Sequence, residues 1–325
     1  MKNQSIRTSL VVCTGILILI LDSKTAISGA KDGIDLCLRT VIPSLFPFFL
    51  MSNLLTESLM GVEFRILRPI GRLFGLHKGT ESMLIPAFLG GYPAGAQSIS
   101  QAYRSGHLSK DNAERLLSWC NNAGPAFLFG MIGPMFPSSG YAWALWSIHI
   151  LSAFLVSKTF PTPVESSQIV PSQTRGITEA MISSLRAIAT VCGWVTVFRV
   201  LIAFLNRWVL WLLPVTAQVT IAGLLELSNG CCSLGLIDNI PVRFALCSCL
   251  LAFGGLCVTM QTSSAAMGLS IKYYLAGKAL QTLFSLLICL CIRYTWIILP
   301  ASCVYFLLWI GKLRINSRNS VTIGV

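Results

Sequence analysis

The chain has 325 residues, of which 54% are hydrophobic and only 11% are charged, and its formal net charge is +12 at pH 7. Roughly 25% of the residues of a soluble domain are charged, so we predict an all-α polytopic membrane protein. A β-barrel is disfavoured because the apolar runs are long and continuous rather than alternating. The basic residues lie between the apolar segments, where they hold cytoplasmic loops in place. Nucleic acid is therefore not an expected partner.

The 12 cysteines and three histidines do not form a pattern typical of a metal site. Most of the cysteines lie within apolar segments, no Cys-x-x-Cys pair occurs, and the histidines are far apart in the sequence. We interpret the cysteines as small buried hydrophobic residues. No pair of nucleophile and base stands out either. We therefore predict no metal, no cofactor and no catalytic residue.

The first apolar run extends from Leu10 to Leu21 and leaves two interpretations open. Basic residues precede it and Ser28-Gly29-Ala30 follows it, as in a signal peptide with small residues at its cleavage site. A short first transmembrane helix has the same features. Because the next apolar segment begins within about a dozen residues, we favour an uncleaved signal-anchor helix in residues 1–32.

Residues 33–158 form the first predicted unit, which contains one long helix, two interrupted segments and one continuous helix. In chain order these elements are 33–59, 82–103, 113–137 and 141–158. The interrupted segments are apolar enough to enter a bilayer, but their Gly, Pro and Asn residues prevent a continuous helix. Such breaks are tolerated at membrane depth only inside protein or beside a watery cavity, and in carriers they mark the substrate site.

A linker rich in Pro, Ser and Thr, 159–178, separates this unit from a second unit, 179–293, with the same order of elements. Its elements are a long helix over 179–206, an interrupted segment over 217–236, a second over 242–266 that breaks at Gly254-Gly255, and a helix over 276–293. A C-terminal helix near 295–311 and a basic tail complete the chain within residues 294–325.

The basic residues also predict that the second unit is inverted relative to the first. Both loops that flank 82–103 are basic, so both are expected in the cytoplasm and the segment is a re-entrant hairpin. The first unit then crosses the membrane three times, and the second begins on the opposite face. A loop that contains Lys272 and Lys278 is expected inside. The predicted fold has about eight transmembrane helices and two re-entrant hairpins in the inner membrane, with both termini in the cytoplasm.

Polar residues at the breaks form a candidate substrate pathway, because unwound backbone and amide side chains offer hydrogen-bond donors and acceptors. The residues are Gly90, Gly91, Tyr92, Pro93, Gln97, Asn121, Asn122, Glu226, Ser228, Asn229, Gln261, Thr262 and Ser263. This set suits an uncharged or zwitterionic solute. Hydrogen bonding that only stabilises helix packing is the alternative. For Glu226, a contact with solute or a proton and a position that reaches external water both remain open.

Several motifs resemble the sporulation integral membrane proteins of the YlbJ type, from the nucleoside-recognition or gate domain superfamily. The similarity covers about residues 30–310. The motifs are Leu45-Phe46-Pro47-Phe48-Phe49-Leu50, Gly90-Gly91-Tyr92-Pro93-Ala94-Gly95-Ala96, Ala113-Glu114-Arg115-Leu116-Leu117-Ser118, Asn121-Asn122-Ala123-Gly124-Pro125, Gly223-Leu224-Leu225-Glu226 and Phe253-Gly254-Gly255-Leu256. The superfamily also includes concentrative nucleoside carriers and the pore region of ferrous iron transporters.

The resemblance implies an inner-membrane protein of endospore-forming bacteria that is needed for the spore cortex. Together with the broken segments, it favours a carrier or channel-like transporter of a small polar solute. The alternative is a non-transporting scaffold that recruits cortex or spore-envelope assembly partners, although the chain has no sizeable soluble domain to bind them. The expected partners are the solute, an optional coupling ion and the lipid bilayer, and a homo-oligomer is left open.

Overall fold

The computed structural model describes residues 2–59, 64–162 and 176–293, and all secondary structure in these ranges is helical. The first part contains α1 (Lys2–Leu21), α2 (Ser23–Leu36), α3 (Ile42–Leu59), α4 (Arg68–Phe74), α5 (Leu84–Phe88), α6 (Ala94–Arg104), α7 (Lys110–Leu117), α8 (Pro125–Phe127) and α9 (Ser139–Thr159). The second contains α10 (Ile177–Trp208), α11 (Val215–Leu225), α12 (Leu227–Cys232), α13 (Ile240–Phe253), α14 (Gly255–Ala265) and α15 (Lys272–Arg293).

Helix length and apolarity confirm the prediction of an all-α polytopic membrane protein. Among the described residues, five helical stretches are long and apolar enough to cross a bilayer: Ser23–Leu55, Ser139–Thr159, Ile177–Trp208, Ile240–Ala265 and Lys272–Arg293. Shorter apolar helices are Ile6–Leu21, Pro125–Met135 and Val215–Leu225. The predicted helix near 295–311, the basic tail and most of the linker lie outside the described residues.

Two helices begin earlier than the sequence pattern predicts. The helix expected from residue 33 begins at Ser23, because the Asp22 side chain caps it by accepting a hydrogen bond from the Thr25 amide (3.3 Å). It continues through a π-helical turn at Cys37–Val41 into α3. The last described helix begins at Lys272 instead of 276. The predicted loop with Lys272 and Lys278 is therefore wrong, and Lys278 lies in the second turn of α15.

The packing of α2 against α10 depends on two glycines that are four residues apart. A methyl group at Gly29 would lie 2.9 Å from the Cα of Val200, and one at Gly33 would lie 2.8 Å from the Cα of Thr196. Because backbone atoms cannot move aside as a flexible side chain does, both positions require glycine. Small residues at this spacing allow membrane helices to approach closely.

We expect Gly33→Ala to separate α2 from α10 and to lower the free energy of unfolding by about 1 to 3 kcal/mol, the usual cost of overpacking. The matched control is Gly193→Ala, because a methyl group at Gly193 in α10 would have no heavy atom of the described residues within 4 Å. Thermal unfolding in detergent measures both. Equal melting temperatures would contradict the close packing.

The first interrupted segment enters and leaves the core at the same end of the molecule. Leu76 precedes it, Leu108 follows it, and both belong to one buried cluster with Ala266 from the end of α14. At the other end, Phe136 stacks on Tyr141 near the start of α9. The 21 residues of α9 separate these ends by about 30 Å, at 1.5 Å per residue. This arrangement agrees with the predicted re-entrant hairpin, which stays a prediction.

Candidate functional site

The four breaks of the interrupted segments meet in the centre of the fold. The first break is at 89–93, with Gly91 at φ +75°, and it lies against Gly124 of the second break. The third break, at Glu226, separates α11 from α12, and the fourth is at Gly254-Gly255, where both φ angles are +83°. A methyl group at Gly255 would lie 2.9 Å from the Gly223 carbonyl oxygen, so the third and fourth breaks also touch.

A small cavity of about 40 Å³, which we call the central cavity, lies where the breaks meet. Its polar lining comes from both halves of the chain and includes Thr40, Ser44, Tyr92, Glu226, Ser228 and Gln261. A cavity of this size with several polar partners can hold water. It is too small for a polar metabolite.

A larger open cleft of about 580 Å³, which we call the vestibule, lies between α6, α10 and α14. Pro93 lines it, and its polar and charged lining residues are Gln97, Arg104, Glu179, Ser183, Arg186, Thr190, Gln261 and Ser264. Inside the vestibule, the Gln97 side-chain amide donates a hydrogen bond to the Ser183 hydroxyl (2.9 Å).

Gln261 borders both the vestibule and the central cavity. It is only 3% exposed, and its side-chain nitrogen lies 3.2 Å from the sulfur of Cys257. Because one side chain lines both spaces, Gln261 lies at the boundary between the vestibule and the central cavity.

A second polar group, the buried amine cluster, consists of Lys278, Gln281, Tyr92 and Asn122. The Lys278 ammonium donates to the side-chain oxygen of Gln281 (2.8 Å), the Tyr92 hydroxyl (3.3 Å) and the side-chain oxygen of Asn122 (3.5 Å). Lys278 is 1% exposed and forms no ion pair with any residue that the structure describes. The Tyr92 hydroxyl in turn donates to the Leu251 carbonyl (2.9 Å), next to the fourth break.

Glu226 caps helix α12 instead of reaching external water. Its two carboxylate oxygens accept hydrogen bonds from the backbone amides of Ser228 (3.0 Å) and Asn229 (2.6 Å). It is 2% exposed. The Arg199 guanidinium donates to the side chain of Asn229 and places a positive charge beside the carboxylate. Of the two roles left open by the sequence, external solvation is incompatible with this burial.

The remaining predicted residues divide between the site and its surroundings. Asn121 donates to the Thr262 hydroxyl (2.8 Å) and so joins the second break to α14. Gly90 packs at the first break, where a methyl group would lie 2.8 Å from the Cβ of Ala94. Ser263 is exposed and lines neither the vestibule nor the central cavity. It follows Gln261 by two positions in α14, which directs it to the opposite side of the helix.

Comparison with known proteins was consistent with the motifs. The chain is 23% identical to the sporulation integral membrane protein YlbJ of Bacillus subtilis (strain 168) over 313 residues, which covers 81% of this chain and 76% of the relative. The similarity supports a YlbJ-type membrane protein. The predicted resemblance is thereby confirmed, while membership of the wider gate superfamily stays a prediction. No family model and no solved structure matches the chain.

The sequence patterns did not point to Lys278 and Gln281 as site residues. A signal was present, since both residues lie three positions apart in an apolar helix and therefore share one face. The sequence pattern placed Lys278 in a loop, because the lysine lies near the predicted start of the helix. Thr40 and Ser44 were missed because helix 33–59 has no glycine-rich break, although its π-helical turn carries Thr40 to the central cavity.

Proposed function

We propose that the chain is a carrier or channel-like transporter of a small polar solute in the membrane of a sporulating cell, and that spore cortex formation requires it. The position of Gln261 carries the proposal, because one buried polar side chain borders both the vestibule and the central cavity. The sporulation role rests on the name of the relative and on the resemblance of the motifs.

The breaks supply the features that a transport route needs. Solute would enter the vestibule, whose Arg104, Arg186 and Glu179 can hold either charged end of a zwitterion. It would then displace Gln261 and reach the central cavity, where hydroxyl groups and the unwound backbone replace its hydration. Because this cavity is only about 40 Å³, passage requires the tips of the two hairpins to move apart.

Solute flux into liposomes containing the purified protein tests this proposal. The panel comprises nucleosides, amino acids and dipicolinate, and we expect saturable uptake of one class. Gln261→Trp should fill the boundary and lower that uptake at least tenfold, whereas Ser263→Trp, on the opposite side of α14, should not change it. Absence of flux across the whole panel, or equal flux in the two variants, would contradict transport along this route.

The membrane orientation gives a separate prediction. In a cysteine-free background, cysteines at Lys78 and Lys110 should be protected from an impermeant thiol reagent in intact cells, because both basic loops are expected in the cytoplasm. A cysteine at Leu212, an exposed position at the far end of α10, should react. Different results at 78 and 110 would remove the hairpin between them.

A further inference from the structure

Lys278 is a buried cation with no carboxylate partner among the described residues. Its ammonium group has three N–H bonds, and three neutral oxygens accept them, one each from Gln281, Tyr92 and Asn122. The ring of Tyr92 (5.1 Å from Nζ to centroid) and that of Tyr274 (5.9 Å) also face the amine. A charged side chain inside a membrane protein is costly and usually functional, so this environment requires an explanation beyond packing.

The charged and neutral forms of Lys278 make different numbers of hydrogen bonds to the residues at the breaks. The ammonium donates three hydrogen bonds, whereas the neutral amine has two N–H bonds and one lone pair. Loss of the proton therefore removes a donor from the contacts that join α15 to Tyr92 at the first break and Asn122 at the second. The protonation state of Lys278 and the arrangement of the breaks are therefore linked, because the oxygens that accept from the ammonium include those of Tyr92 and Asn122 at the breaks.

Tyr92 connects the amine cluster to the proposed route. Its hydroxyl lies 3.3 Å from Lys278 Nζ, and the same residue lines the central cavity. The titratable side chains around the amine are Tyr92, Tyr274, Cys120 from the second break and His149 from α9. None of these four side chains is a carboxyl group. The positive charge of Lys278 therefore has no carboxylate beside it to balance it.

We propose that Lys278 is the proton-binding residue that couples protonation to opening of the central cavity. The inference rests on the proposed transport function and deepens it by assigning the coupling ion as a proton. In one half of the cycle the ammonium holds Tyr92 and Asn122, and the cavity is closed. Release of one proton to water leaves the neutral amine, weakens these contacts and allows the first hairpin tip to move. Rebinding of a proton from water restores the closed arrangement.

Cavity accessibility measured against pH tests this proposal without any solute. In the full-length protein stripped of native cysteines, Ser44→Cys places the reporter thiol on the central cavity, and Ser105→Cys, exposed after α6, corrects for the reactivity of the reagent itself. We expect the ratio of labelling rates, position 44 to position 105, to rise at least tenfold in one step between pH 5 and pH 9. A flat ratio would overturn the proposal.

Three substitutions assign the step to Lys278. Lys278→Arg keeps the charge permanently and Lys278→Met removes it, so both should abolish the step. Gln281→Glu adds a carboxylate beside the ammonium and favours the protonated form, so it should move the midpoint to higher pH by about 1 to 3 units. This last variant retains the lysine and decides the question even if Lys278→Met does not fold. A step that persists in Lys278→Arg, or a midpoint unchanged in Gln281→Glu, would overturn the proposal. Solute flux in a protein whose labelling ratio does not change with pH would also overturn this proposal, but it would leave the proposed transport function standing.

Discussion

Gly95→Ala and Gly277→Ala should each disrupt the packing around the second break. We expect each to lower the free energy of unfolding by about 3 kcal/mol or more. Both glycines pack against the backbone that leads into the second break. A methyl group at Gly95 in α6 would overlap the Cys120 carbonyl oxygen, and one at Gly277 in α15 would overlap the Ser118 carbonyl oxygen. Both obstacles are backbone atoms, so the clash requires a shift of the break itself.

Thermal unfolding in detergent, followed by gel filtration, measures this effect. Gly130→Ala is the matched control, because Gly130 lies in the same crossing just beyond α8, and a methyl group there would have no described atom within 4 Å. We expect the control to unfold like the parent protein. If all three variants unfold at the same temperature, then α6 and α15 do not hold the second break as described.

Glu226→Gln should destabilise the tip of the second hairpin by about 1 to 3 kcal/mol, the cost of an unsatisfied buried hydrogen-bonding group. Gln has one acceptor oxygen where the carboxylate has two, so either the Ser228 or the Asn229 amide loses its partner. The substitution also leaves the charge of Arg199 without its negative neighbour. We expect local disorder at this tip and a large loss of the proposed transport.

A double-mutant cycle separates this capping role from a direct contact with solute. Glu226→Gln combined with Arg199→Gln removes both charges, so part of the lost stability should return. Hydrogen exchange at α12 gives the local stability. Asp35→Asn, in an exposed pair with Arg39, provides a surface control that should change little. Normal protection of α12 in the single variant would contradict the cap.

The breaks were predictable because their residues restrict the backbone locally. Glycines at positive φ, such as Gly91 and Gly254, and prolines that cannot donate a hydrogen bond are visible in the sequence without any tertiary information. The same is true of the long apolar helices. Their positions in the chain therefore agreed with the structure to within a few residues, except at helix starts such as Ser23 that depend on a single capping side chain.

The contacts between the breaks were not predictable in the same way. The role of Lys278 depends on Tyr92 and Asn122, which are more than 150 residues earlier in the chain. The burial of Glu226 depends on how α12 packs, and the exposure of Ser263 on the rotation of α14. The periodicity of one helix shows which residues share a face of that helix. It does not show which other helix packs against that face.

Counts of heat-resistant spores test most directly whether the chain acts by carrying a solute through its interior. Cells whose only copy carries Gln261→Trp should form at least tenfold fewer heat-resistant spores, since the boundary between the vestibule and the central cavity is filled. Cells with Ser263→Trp should sporulate normally, because that side chain is exposed on the opposite side of α14. Membrane abundance of both variants is measured by immunoblotting. Normal spore counts with abundant Gln261→Trp protein would contradict transport and favour a scaffold.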